Sequence, residues 1–563
     1  MKRSLLVASL LSVAFPALGY AQSDADLRNA AKTPDRILTY GMSYSQQRFS
    51  PLKQIDRQTV KRLVPAWSYS FENTTGEESQ PMVLDGIMYI TSHDRTVAID
   101  VATGREIWKT MNPYPPKTIE TVCCGIVNRG GALYNGKFFR TILDGRVQAL
   151  DIKTGKEIWN TRASTVEEGH AMTGAPLIAG GVVIVGVAGS EFTARGFIDG
   201  YDAETGKRLW RVYTVPRPGE KGAETWPNQA RDAVGGSTWT TGSYDADLDL
   251  VYWGTGNPSP WNALDRKGDN LYTDSILAIR PKTGEVVWHY QTSPNDPFDY
   301  DNVQALVLAD LNVGGRPHKV VMQAARNGFF YVLDRTNGEL LAANKYVKVT
   351  WADGVDMKTG RPIWSESTKK ILDHVEKIQS WPFIGGGTNW YPMSFSPLTG
   401  LAYVNTSNIG VEYEPLPKED IQKLMLMAGD RSGGNTVKQR AIYAEGEPRG
   451  YLKAIDPMTG QAKWQTGFKS PNWAGTLVTA GGLVFTGELT GEFIAADIDT
   501  GKIVWQFQTP SGIIGQPVTW DTKGTQYVAV TSGIGGTYAR QPDPNLAHVP
   551  KGGVVTAFKL LNQ

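Results

Sequence analysis

Cysteine is nearly absent from this 563-residue chain: there are two, and they are adjacent, Cys123 and Cys124. That excludes a long-range disulfide framework, a Cys/His zinc site and a Cys-x-x-Cys-His haem attachment. The six histidines, at 93, 170, 289, 318, 374 and 548, are scattered without metal-ligand spacing. An excess of either charge is lacking too, since 57 Lys and Arg against 56 Asp and Glu leave a net +1. That argues against a nucleic-acid surface or a polybasic membrane surface. No apolar run approaches the ~20 residues of a membrane span. Pro- or Ser-rich linkers and low-complexity tracts are missing, so a single domain is expected.

The start of the chain carries an address. Met1-Lys-Arg is basic, Ser4 to Leu18 is a short apolar core, and Gly19-Tyr20-Ala21 offers small residues for cleavage. This reads as a secretory signal peptide over residues 1–21, with the mature chain beginning near Gln22; an uncleaved anchor is the alternative. Export places the cysteines where disulfides persist. A disulfide between neighbours encloses no loop and is a poor staple, so its use is local, as a flat sulfur-faced platform. Two reduced, packed thiols are the alternative.

Glycine and aromatics are plentiful: 61 Gly, 17 Trp and 23 Tyr lean toward a turn-rich all-β fold. The tryptophans recur in a pattern. Ala98-Ile-Asp-Val-Ala-Thr-Gly-Arg-Glu-Ile-Trp108 returns as Ala-x-Asp-x-x-Thr-Gly-x-x-x-Trp at 149–159, 454–464 and 495–505. Gly200 replaces Ala in the copy at 200–210, and Arg280 replaces Asp in the copy at 278–288. Eroded copies at Val332–Gly338 and Ser394–Gly400 bring the number to eight. In each, a strand ends at Asp, Thr-Gly turns the chain, and a second strand leaves with its Trp. The small Ala and the large Trp suit a contact between successive units.

Start-to-start spacings run from 41 residues (454 to 495) to 78 (200 to 278), about one four-stranded propeller blade plus loops. Eight such units favour a closed ring over a β-sandwich array, because a ring leaves few open edges. The terminal strand near 552–560 and the segment after Tyr40 are expected to share one blade. Long inserts at 211–238, 343–385 and 405–448 are placed to carry function or guard a site.

The tryptophan repeat, Cys123-Cys124 with Asn128-Arg129-Gly130, Gly256-Asn-Pro-Ser-Pro-Trp-Asn262 and Arg326-Asn-Gly328 together resemble the pyrroloquinoline quinone (PQQ)-dependent alcohol dehydrogenases of the methanol and ethanol dehydrogenase family. The resemblance runs from about Tyr40 to the C-terminus. It implies an eight-bladed β-propeller over 22–563, with PQQ in a central funnel between a Cys123–Cys124 disulfide and the ring of Trp239, beside a metal ion. Arg129 and Thr173 match donors to the cofactor carboxylates, and Glu78 matches the glutamate at the quinone edge, with Glu77 one residue away as the alternative. Asn389 and Trp473 match further cofactor contacts. Ala188 stands where relatives usually carry a serine, which leaves backbone amides such as that of Gly189, or Ser190, to serve there.

The resemblance implies Glu191, Asn257 and Asp299 as metal ligands, all oxygen donors of the kind a hard cation takes. Asp301 marks the lanthanide-dependent relatives, where calcium-dependent ones carry a small uncharged residue. Glu191, Asp299, Asp301 and a PQQ carboxylate would balance a trivalent ion better than a divalent one. Calcium, with Asp301 only capping a turn, is the alternative. Asp299 and Asp301, two apart in an extended segment, are expected to project to one side.

The implied chemistry takes the alcohol proton on Asp299, accepts hydride at PQQ C5, and uses Arg326 where negative charge develops. Trp261 is placed on the substrate side. A separate periplasmic cytochrome c is the implied electron acceptor, and a homodimer is compatible with the family. The alternatives are a same-fold dehydrogenase for a polyol or polymeric alcohol, and a non-catalytic propeller scaffold.

Overall fold

The computed structural model describes residues 22–561 except 193, 227–233, 262, 264–265, 373–376, 417–418, 420–436 and 537–542. The expected signal peptide at 1–21, His374 and Asn262 therefore lie outside the described residues. The architecture is an all-β propeller. Among the described residues, eight sheets of four or five strands carry the fold, and most are antiparallel meanders of consecutive strands.

The repeat explains each outer hairpin. In the sheet Met82–Leu84, Ile87–Ser92, Arg95–Asp100 and Glu106–Met111, Asp100 Oδ1 accepts from the backbone N–H of Ala102 (3.1 Å) and Thr103 (2.9 Å) and from the Thr103 hydroxyl (2.7 Å). Gly104 follows at φ +73°, a conformation side chains resist. The same aspartate–threonine turn recurs at Asp151 and Asp497.

The expectation for Ala and Trp needs a correction. Ala98 lies opposite its own unit's Trp108, as Ala149 does Trp159 and Ala454 does Trp464. The neighbouring unit is met by the indole N–H and by the turn glycine instead. Trp108 Nε1 donates to Ile152 O (3.0 Å), Trp159 to Ala203 O (3.1 Å) and Trp464 to Ile498 O (2.9 Å). A Cβ on Gly155 would sit 2.5 Å from the Trp108 ring, and one on Gly206 would sit 2.6 Å from Trp159. The alanine leaves room within a unit; the glycine leaves room between units.

One of the eight copies is also misplaced. Ser394–Gly400 forms the first hairpin of a sheet whose outer hairpin already carries the 454–464 repeat. The remaining outer pair is split between the chain ends: Leu63–Ser70 pairs with Val554–Leu560, with Trp67 opposite Ala557. Trp505 Nε1 donates to Leu63 O (3.1 Å) and Trp67 Nε1 to Val101 O (2.8 Å), which joins last, shared and first sheets. The copy at Val332 has lost its tryptophan, and Ala342 stands in its place.

The inserts are ordered where described. The segment 343–385 supplies the ribbon Ala352–Val355 with Pro362–Trp364, the helix Glu366–Leu372 and the strand Ile378–Ser380. That last strand joins Ile409–Pro415 and Val437–Tyr443 from 405–448 in a three-stranded sheet. Their aromatic residues, Trp351, Phe383 and Tyr413, pack with Phe298, Tyr300, Trp390 and Trp473, and Trp239 rests against this cluster. Trp239 and Trp390 of this group also line the cleft described next.

Candidate functional site

One cleft gathers Glu78, Cys123, Cys124, Arg129, Thr173, Gly189, Glu191, Trp239, Asp299, Asp301, Arg326 and Asn389 at its lining. These side chains come from sheets far apart in sequence, so the architecture rather than local sequence brings them together. Cys123 and Cys124 are bonded to each other, and both are exposed.

One wall centres on Arg129. Asn128 fixes the loop, its Oδ1 accepting from Gly130 N–H (3.0 Å) and the Thr91 hydroxyl (2.6 Å). Arg129 Nη2 pairs with Glu78 Oε2 at 2.7 Å, and Nη1 donates to Thr173 Oγ1 at 2.6 Å. The guanidinium lies 4.8 Å from the Trp239 ring centre and 5.0 Å from that of Trp390. Its Nε is buried without a hydrogen-bond partner. Burial pushes the Glu78 acid up to about 6, with Arg129 opposing the rise. The structure thus separates the two candidate glutamates: Glu78 faces the cleft and Glu77 does not.

The opposite chemistry occupies the second wall. Asp296 accepts from the N–H groups of Phe298 (2.9 Å) and Tyr300 (2.7 Å), so Asp299 sits on a tight turn at φ +63°. The extended segment expected for Asp299 and Asp301 is therefore not present; the Asp296 cap curls it. Both side chains still reach one guanidinium, Arg326 Nη2 meeting Asp299 Oδ2 at 2.6 Å and Nη1 meeting Asp301 Oδ2 at 2.7 Å. Arg326 is held in turn by Ile384 O (2.8 Å) and by Gln304 Oε1, which accepts from its backbone N–H (3.0 Å).

Asp301 also accepts from Asn257 N–H (2.7 Å) and from Trp239 Nε1 (3.3 Å). Gly256 permits this closeness, since a Cβ there would lie 2.2 Å from Asp301 Oδ1. Glu191 stands on the short turn Ser190–Phe192, and burial followed by the Asp301 charge pushes its acid up to about 7. Asp299 is raised well above the usual range by burial, with Arg326 pulling down and Asp301 pushing up.

This donor set fits a hard cation. Three carboxyls face one guanidinium, and Asn257 Oδ1 and Asp299 Oδ1 are buried without hydrogen-bond partners. Among the described residues, no three carboxyl, histidine or thiol groups are already drawn into an ion cage. The first wall fits an anionic, planar group, because an arginine donor and two indole faces are offered together.

Four of the expected residues lie outside the lining. The Ser190 hydroxyl is spent on the loop, donating to Asn257 O (3.3 Å) and accepting from Ser237 N–H (3.2 Å). Asn257 stands behind Asp301, as its backbone bond shows. Trp473 is buried edge-on against Tyr391, with ring centres 5.1 Å apart. Trp261 offers its carbonyl to Arg266 Nη2 at 3.1 Å. Asn389 reaches the lining while its side chain braces the loop through Gly385 O (3.0 Å). Sequence reasoning missed Trp390, although it directly follows Asn389, and Asp296, although the pair Asp296-Pro297 is a turn signal.

A sequence profile described as "PQQ: Glucose/ethanol/alcohol dehydrogenase, beta-propeller domain" matches residues 38–361 and 368–528. The quinohemoprotein alcohol dehydrogenase ADH IIB of Pseudomonas putida is 41% identical over 549 residues, covering 95% of this chain and 78% of that protein. The quinoprotein alcohol dehydrogenase PedH of Pseudomonas putida is 37% identical over 594 residues, covering 100% of this chain and 98% of that protein. A solved europium-containing methanol dehydrogenase aligns with a TM-score of 0.87 at 34% identity, over 95% of this chain and 100% of that one.

Proposed function

This chain belongs to the PQQ-dependent alcohol dehydrogenase family, and from that premise we propose that it oxidises a primary alcohol to the aldehyde in the periplasm, with PQQ and a lanthanide ion, and passes electrons to a cytochrome c. The observation that carries the reading is the double fork of Arg326 on Asp299 and Asp301, facing a cleft shared with Arg129 and the cysteine pair.

In this reading residues 22–563 form one eight-bladed domain after a signal peptide at 1–21. Eight sheets and the chain of indole-to-carbonyl bonds support the blade number and tryptophan docking. PQQ would be held by the disulfide, Trp239, Arg129, Thr173, Glu78 and Asn389, with Gly189, Ser190 and Trp473 in support. The metal would be held by Glu191, Asn257, Asp299 and Asp301. When bound, the quinone supplies a hydride-accepting carbonyl and the ion supplies Lewis acidity.

The protein's own part is orientation and proton transfer. Arg326 engages Asp299 Oδ2, which leaves Oδ1 free of hydrogen bonds to take the alcohol proton. The aromatic cluster behind Trp239 excludes water from the back of the cleft. Arg326 also presents positive charge where negative charge builds. Trp261 is assigned to the substrate side by its place in the Asn257 segment.

The test reconstitutes metal-stripped protein with PQQ and either La³⁺ or Ca²⁺, then follows dye-linked oxidation across a short-to-long alcohol series. Lanthanum-dependent turnover of primary alcohols is expected. Equal turnover with calcium alone removes the lanthanide assignment, and no turnover with either removes the function.

A further inference from the structure

Glu77 is a carboxyl that the chemistry above leaves unused, and it is only 1% exposed. It turns away from Glu78, into the junction where the last loops of the chain meet the first sheet. Its Oε1 accepts from Asn73 Nδ2 (2.9 Å) and from the Ser92 hydroxyl (2.8 Å). Its backbone N–H donates to Gly533 O at 3.0 Å, and Gly553 N–H donates to Asn73 O at 3.1 Å. Two glycines are shaped around it: a Cβ on Gly533 would lie 2.7 Å from Glu77 Cγ, and one on Gly553 would lie 2.5 Å from Oε1.

Three stretches remote in sequence thus converge on one carboxyl, and the next residue is Glu78, 2.7 Å from Arg129. Glu77 Oε2 is buried without a hydrogen-bond partner. Burial pushes this acid up to about 8, with the hydrogen bonds from Asn73 and Ser92 opposing the rise. The side chain therefore works through its shape and its accepting oxygen, which an amide of the same size reproduces.

We infer that Glu77 is a positioning residue: by pinning the junction of the shared and first sheets, it sets the direction in which Glu78 enters the cofactor cleft. This rests on the reading of Glu78 as a contact to PQQ. The backbone cannot turn at Glu78 without moving Glu77, and Glu77 is seated between two glycines and two side-chain donors. Truncating it takes the acceptor from the Ser92 hydroxyl, leaves Asn73 Nδ2 only its bond to Ser92 Oγ (2.9 Å), and frees the entry angle of its neighbour.

The test is PQQ binding to the full-length, metal-stripped protein, followed by quenching of tryptophan fluorescence, beside thermal melts. Glu77→Ala is expected to weaken PQQ about tenfold, the scale of one hydrogen bond to a charged group, and Glu77→Gln to stay within about twofold of wild type. The double variant Glu77→Ala/Glu78→Ala should bind no more weakly than Glu78→Ala, whereas Glu77→Ala should add in full to Asn389→Ala. Where Glu77→Ala fails to fold, Glu77→Asp, one methylene shorter, is expected to show the same coupling. Wild-type affinity in whichever of these folds, failure of Glu77→Gln to restore binding, or additive effects of Glu77→Ala and Glu78→Ala each overturn the inference. Unchanged affinity in Glu78→Ala alone overturns the cofactor role of Glu78 itself, and that result is read separately.

Discussion

The two walls of the cleft handle charge in opposite ways. On one, Arg129 meets a single carboxylate, Glu78, and a hydroxyl, Thr173, so acid and base are matched. On the other, one guanidinium answers Asp299 and Asp301 with Glu191 close by, so negative charge is in excess. A balanced wall with a spare arginine N–H is suited to an anion. An unbalanced wall, with carboxyl acids raised by burial and mutual repulsion, is suited to a cation. The difference teaches that one cleft holds two separate electrostatic devices, one matched to an anionic group and one to a cation.

Removing the proposed base from the acidic wall should have the largest effect. Asp299→Asn is expected to lower turnover by roughly 10²–10⁴, while PQQ binding, measured by fluorescence quenching, stays largely intact. Activity within about tenfold of wild type would erase the assigned division of labour. Arg129→Ala attacks the balanced wall, and about 10²-fold weaker PQQ binding is expected because Glu78 is left buried and unpaired. Metal affinity, followed by Tb³⁺ luminescence, should move far less. If the two affinities fall together, the walls are not independent.

Asp301→Ala reduces the excess charge by one and removes the partner of the Trp239 indole. The preference for La³⁺ over Ca²⁺ in reconstitution should fall by on the order of tenfold. An unchanged preference with full lanthanum-dependent activity would leave Asp301 a loop residue. The smallest effect expected is on stability. Glu78 and Glu77 have acids raised to about 6 and about 8. Each therefore contributes stability that is full below pH ~4.5 and is lost as pH rises through its raised value. Urea unfolding of the cofactor-free protein should show stability declining between pH ~4.5 and ~8. Glu78→Gln should flatten the decline below pH ~6, and Glu77→Gln should flatten it over the whole window up to pH ~8.

The repeat was the most legible part of the chain, because the Asp100–Thr103–Gly104 turn and Trp108 are local chemistry. Ser394–Gly400 misled because Thr-Gly turns serve inner as well as outer hairpins. The outer pair Trp67 and Ala557 was unreadable, since its halves lie at opposite ends of the chain. In the site, Cys123-Cys124, Arg129 and the Asp299–Asp301 segment stood out by resemblance. Trp390 was passed over beside Asn389, though it lies 5.0 Å from the Arg129 guanidinium. Asp296 leaves a turn signal in the pair Asp296-Pro297, but the two amides it caps are seen only once the loop is folded.

The sheet shared by Leu63–Ser70 and Val554–Leu560 has a consequence for the order of events in synthesis. The first of these strands leaves the ribosome early and stays without its partner until almost the whole chain has been made. Contacts this distant in sequence form late, and until then the first and last units expose unpaired edges. The final strand acts as a clasp, and no fragment ending before Val554 should keep PQQ.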